Sequence, residues 1–292
     1  MFKPAFLILF VFIFSGIKAQ LAQVEYYFSG AGDCIFGATN EMKTPVFLNI
    51  DFEYINNSTF NEPLPYVKEL EPGYNSLFTL NPNTRLSGIS FNFHIKTFRS
   101  NPLADVNLDF PYLLPFAPGT KATVFDVKNI DGFLGMSTPK SWRATGFTAK
   151  PGEPVYAVRT GTVVEIAGRE KSENTRSWYN GWGNSITLLQ PDGTLICYKN
   201  VVDPLNKLKL NQKVFAGEIL GEVAPGTSEL VLLIYHNTLL SDDFSFIIPQ
   251  FQIGPGKIGM VTPSMPVEVI HPVEIRGLEM TKKEQKRLLK TK

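Results

Sequence analysis

Between Gly146 and Tyr235 the sequence falls into short apolar, β-branched runs, each closed by Gly, Pro, Asn or Asp. That punctuation limits the fold more than any other feature of the chain. The stretch reads GFTAKPGEPVYAVRTGTVVEIAG, then GWGNSITLLQPDGTLICYKNV, then LKLNQKVFAGEILGEVAPGTSELVLLIY. Runs of this length with this composition are strands, and the residues between them are tight turns. None carries the period of a long helix, so the expected fold class is all-β.

The flanking regions extend the same pattern. Residues 22 to about 100 hold VEYYFSG, TPVFLNIDFEYIN, SLFTLNP and GISFNFHIKTF, separated by the turn clusters NNST, NEPLP, EPGYN and NPNTR. This predicts an antiparallel, immunoglobulin-like β-sandwich over 20–105. His94 alternates with Phe91, Phe93 and Ile95 in FNFHIKTF, which makes it a half-exposed strand residue and not a ligand. Residues 1–19 join an early Lys to an apolar run and a small-residue end at Ala19, the pattern of a secretory signal peptide. No other stretch is long and apolar enough to cross a bilayer, so the mature chain is expected to be exported, to periplasm or cell surface, without a transmembrane span. The near balance of 28 Lys and Arg against 27 Asp and Glu gives no electrostatic case for nucleic acid as a partner.

The phrase DVNLDFPYLLPFAPGT predicts a linker over 106–120, and a second domain follows over 121–278. The end, 279–292, starts with Thr281 and Glu284 at capping-box spacing and predicts a short basic helix. Its Lys and Arg are either a solvated tail or a contact for anionic envelope polymers. Cys34 and Cys197 fall in different expected domains and read either as two buried free thiols or as one disulfide formed in an oxidising compartment.

At the residues quoted first, the chain resembles the lysostaphin/LytM family of zinc peptidoglycan endopeptidases. PGEPVYAVRTGTVVEI is similar to that family's Pro-x-Gly-Thr-Pro-Val-x-Ala-x-x-x-Gly-x-Val strand pair. GNSITLLQPDGTLICYKNV resembles its Gly-Asn hairpin ending in Tyr-x-His-Leu, and LNQKVFAGEILGEV its Gly-x-x-Ile-Gly hairpin. Tyr112-Leu113-Leu114-Pro115-Phe116 with Gly119 resembles the phrase that leads into the peptidase domain. The resemblance implies a flattened β-barrel, the duplicated hybrid motif, and it implies a cell-envelope role. The family holds zinc with a His-x-x-x-Asp pair and the second His of a His-x-His strand. The other His of that strand and the His of Tyr-x-His complete the catalytic set. Carried over residue by residue, these positions fall on Trp142 and Gly146, on Leu230 and Leu232, and on Asn200.

None of those five can serve. Asn200 can hydrogen-bond but cannot exchange protons as a general base near neutral pH. The whole chain has three His, at 94, 236 and 271, and two Cys, too few and too scattered for a site needing three or four converging donors. The expectation is therefore a non-enzymatic LytM-like protein with no metal and no cofactor, which binds peptidoglycan or regulates an envelope protein such as a cell-wall hydrolase. In that reading Leu230 and Leu232 pack against Trp142. A rival reading, an active zinc endopeptidase with displaced ligands, gathers His236, Cys197 and carboxylates in one cleft. A third makes the chain a structural subunit of an envelope assembly. Trp178, Tyr179 and Trp182, on the glycine-rich insertion RSWYNGWGN, are the candidate binding residues, because flat rings on such a loop can stack on sugars or bury in a partner. They can equally pack over the barrel's open edge.

Overall fold

The computed structural model describes residues 21–127, 140–168, 184–240 and 244–290. The chain divides into two compact units between Phe98 and Arg99. Among the described residues no helix is long and apolar enough to cross a membrane. Residues 1–19, expected as the signal peptide, and the rings of Trp178, Tyr179 and Trp182 lie outside the described residues.

The first unit sets one three-stranded antiparallel sheet (Ala22–Phe28, Cys34–Asn40, Gly73–Leu80) against another (Tyr66–Leu70, Val46–Asn56, Ser90–Phe98). Alternation along Val46–Asn56 turns Val46, Leu48 and Ile50 inward, where all three are buried. The space between the sheets is filled largely by rings: Phe36 stacks on Phe78 at 4.6 Å, and Phe52, Phe60 and Phe91 meet that pair edge-on or tilted. His94 points away from this core and bonds the Glu53 carboxylate at the surface. With three strands facing three, the unit is a smaller sandwich than the seven-stranded constant-type immunoglobulin domain.

The second unit is built on a nine-stranded sheet whose pairings are all antiparallel. Its order is Lys213–Val214, Gly161–Ala167, Ser185–Leu189, Leu195–Lys199, Glu229–Asn237, Thr145–Thr148, Lys121–Asp126, Pro266–Glu268, with Phe244–Phe246 also on Glu229–Asn237. The turn of the Ser185–Lys199 hairpin is Gln190-Pro191-Asp192-Gly193, closed by a 2.8 Å bond from Gln190 N to Thr194 O. Gly193 stands there at φ 89°, a conformation a side chain would strain. A short sheet of Pro154–Tyr156, Ile219–Val223 and Val201–Val202 closes over one face and shares a single core with it.

Residues 106–120 are not a linker. Tyr112, Leu113, Leu114 and Phe116 are at most 1% exposed. Leu113 N donates to Val158 O and Tyr156 N to Pro115 O, and Pro111–Tyr112 pairs in parallel with Gln250–Phe251. The boundary between the units accordingly falls seven residues earlier than 105. At the other end come helices α1 (Val273–Arg276) and α2 (Lys282–Lys290). The capping box forms: Thr281 N donates to Glu284 Oε2 at 2.7 Å and Glu284 N to Thr281 Oγ1 at 3.3 Å. Cys34 and Cys197 are both buried and free.

Candidate functional site

The strand Glu229–Asn237 decides where a site can lie, because it is apolar from Leu230 to Tyr235 and serves both faces of the sheet. Leu230, Leu232 and Ile234 enter the main core with Phe147, Ile186 and Tyr198. Val231, Leu233 and Tyr235 enter a second cluster with Leu195, Cys197, Phe244 and Phe246. Residues directly opposed on neighbouring strands share a face. The register therefore lays a row Phe125, Gly146, Val231, Lys199, Ser185 across five strands of the second face. The next row on that face is Leu233, Cys197, Thr187, Glu165.

Gly146 and Trp142 belong to this second face. A Cβ added to Gly146 would collide with the Phe125 ring, so that ring occupies the space a side chain at 146 would use. Trp142 is partly buried against the same cluster, its ring 4.8 Å from that of Phe246, and its indole N–H donates to Val127 O at 3.5 Å. Leu230 and Leu232 lie on the opposite face, in the main core, and do not join the Trp142 cluster. The residues of this strand that share the face of Gly146 are Val231 and Leu233, one position along from the expected pair. A shift of one residue reverses which face every side chain serves.

Asn200 ends its strand at φ 66°. Its amide donates to Glu229 O at 3.1 Å and Thr227 Oγ1 at 3.5 Å, so it fastens the neighbouring turn. Its neighbour Lys199 stands in the row instead, and burial pulls that ammonium below its ordinary pKa. Burial, reinforced by the Glu165 carboxylate, pushes the Cys197 thiol up to about 12, so it stays protonated. Glu165 is itself held by Arg99 Nη2 at 3.1 Å and by the Thr187 hydroxyl at 3.4 Å. His236 follows Tyr235 on the strand, on the face away from Cys197, and pairs with Ser245. The gathering of His236 and Cys197 in one cleft does not occur.

A catalytic zinc needs three His, Cys or carboxylate donors and an open position. The row offers a ring, a glycine, an isopropyl group, an ammonium and a hydroxyl, and the ammonium would repel a cation. Among the described residues no group of three His, Cys, Asp or Glu is spaced to hold a metal. These residues do not fit a zinc ion.

A family model described as "Peptidase family M23" matches residues 140–237, the strands that carry both rows. The match covers about a third of the chain, and over that segment the chain is similar to M23 peptidases of the LytM type. Two solved structures resemble the chain weakly. Csd3 of Helicobacter pylori, in its orthorhombic crystal, is 14% identical with a TM-score of 0.33, over 94% of this chain and 79% of that one. The M23 metalloprotease pseudoalterin from the deep sea is 13% identical with a TM-score of 0.32, over 55% of this chain and 98% of that one. No curated protein matches the sequence.

One polar cluster of the second unit escaped the sequence reading. Arg159, 1% exposed, meets Glu279 Oε1 at 2.7 and 3.0 Å, Asp192 Oδ2 at 3.0 Å and Thr194 Oγ1 at 3.2 Å. Its guanidinium lies 3.7 Å above the Phe110 ring. Burial raises the Glu279 carboxyl above its ordinary pKa. Burial acts on Asp192 in the same sense, but Arg159 and the bonds from Asn107 and Thr194 outweigh it and hold that carboxyl low. The only hint in the sequence is a lone Arg inside the apolar run PVYAVRTG.

Proposed function

We propose that this is a non-catalytic M23-type protein of the cell envelope, which binds peptidoglycan or regulates a cell-wall hydrolase. The observation that carries the reading is the row Phe125, Gly146, Val231, Lys199, where a ring fills the space of the missing carboxylate. Replacing ligands by apolar groups turns a hydrated, charged cleft into a packed surface. What such a domain retains is a rigid sheet and its loops, suited to recognition. Trp178, Tyr179 and Trp182 remain the proposed contact residues for a sugar or a partner.

Elemental analysis of the purified protein, with a turbidity assay on peptidoglycan sacculi, tests this. The expected outcome is no stoichiometric zinc and no clearing, with the protein sedimenting with sacculi or altering the rate of an added hydrolase. Stoichiometric zinc together with chelator-sensitive clearing would overturn it.

A further inference from the structure

The charge of this chain is not spread evenly. Residues 282–292 hold six Lys and Arg against one Glu, so the formal charge of +1 resolves into +5 in that short segment and −4 over the rest. Segregation on this scale points to an anionic partner.

Helix α2 presents these cations in an ordered way. Its fixed side faces the body of the second unit: Glu284 pairs with Lys213 at 3.0 Å, and the Gln285 amide donates to Gly277 O at 2.9 Å. At 3.6 residues per turn, Lys282, Lys286 and Lys290 then fall in one stripe along the exposed side, with Lys283 and Arg287 beside them. All five are exposed. Against the stripe runs a mainly apolar groove of about 320 Å³ between α1 and α2, lined by Val273, Leu278, Leu288 and Leu289, with Glu274 and Gln285 as its polar members. Leu278 and Leu289 at its lip are 52% and 58% exposed.

We infer that this surface docks on an anionic phospholipid bilayer. A row of ammonium groups matches a plane of phosphates, and the leucines of the adjoining lip reach the acyl boundary when the helix lies in that plane. A soluble polyanion would use the stripe and leave the leucines in water. An apolar peptide would fill the groove and leave the stripe idle. Only a surface that is charged at its face and apolar beneath engages both features. The charge excess also fits such a surface energetically, because each cation within a Debye length adds to the attraction and few acids oppose it.

Cosedimentation of the purified protein with vesicles tests the inference. Vesicles of an equal mixture of phosphatidylglycerol and phosphatidylcholine are expected to retain the protein at least about tenfold better than phosphatidylcholine alone. The triple variant Lys282→Gln, Lys286→Gln, Lys290→Gln should lose about tenfold or more of that binding. Leu278→Ser with Leu289→Ser should lower it severalfold, most visibly at high salt, where the charge contribution is screened. All five side chains are exposed, so an unchanged circular dichroism spectrum separates lost docking from lost folding. Equal retention on neutral vesicles, or no retention on mixed ones, would overturn the inference. So would unaltered binding of the lysine variant. Sensitivity to the lysines with none to the leucines, or sedimentation with sacculi but not with vesicles, would assign the stripe to a soluble or wall polyanion instead.

Discussion

Two places in the second unit treat buried charge in opposite ways. Around Arg159 a buried guanidinium meets two partly buried carboxylates, and each has a partner within 3.0 Å. Across the row from Phe125 to Val231 this chain keeps no ionisable group until Lys199. The contrast shows that the protein has not simply become apolar inside. Charges stand where Arg159, Asp192 and Glu279 meet one another, and none stands along the row before Lys199. A buried charge without a partner costs several kcal/mol, and a well-bonded cluster offsets that cost internally.

The largest expected effect tests the retained side of this contrast. Arg159→Leu strands Asp192 and Glu279 without their cation, and loss of about 3–5 kcal/mol is expected on chemical denaturation. A loss below about 1 kcal/mol would mean that the cluster is hydrated and not the fastening described here. The opposite test restores a charge to the row. Gly146→Asp drives a carboxylate into the Phe125 ring and should cost about 1–3 kcal/mol, while zinc still fails to bind. Relief on adding Phe125→Gly would tie the cost to that ring, and unchanged stability of the double variant would refute the packing argument.

The smallest effect is a dependence on pH. Glu279 has its carboxyl raised above 4.5, so its contribution is greatest below that value and is lost as pH rises through the raised pKa. Asp192 has its carboxyl lowered beneath 3.8, so its contribution is present above that value and is lost as pH falls through the lowered pKa. Denaturation midpoints followed across this acid range should lose the first slope in Glu279→Gln and the second in Asp192→Asn. Identical profiles for wild type and both variants would remove the cluster from the account.

The strands of the M23 segment, the Pro191-Asp192-Gly193 turn and the capping box of α2 were legible in the sequence. Each rests on local chemistry: alternation, a glycine at positive φ, a hydroxyl three residues before a carboxylate. The face of the central strand was not legible, and the reason is physical. Leu230 to Tyr235 is apolar on both sides because both sides are buried, so no alternation marks which residues point where. Only the pairing of Val231 with Gly146 fixes the phase. The segment 106–120 misled for a related reason. Its prolines have the composition of a linker, yet Tyr112, Leu113, Leu114 and Phe116 among them are buried core residues. Arg159 could not be foreseen because its partners lie 33 and 120 positions away in the chain.

The ring over Gly146 also bears on what histories are open to this protein. A route toward metal binding would have to install the carboxylate before the ring leaves, which crowds the sheet, or remove the ring first, which strips a half-buried aromatic group from its packing. Either first step lowers stability and gains no ligand set, since Val231 and Trp142 would still need to change. The present arrangement is therefore a local summit. A first step at Gly146 or at Phe125 toward a ligand leads down from it, whereas substitutions at exposed positions of α2 leave it undisturbed.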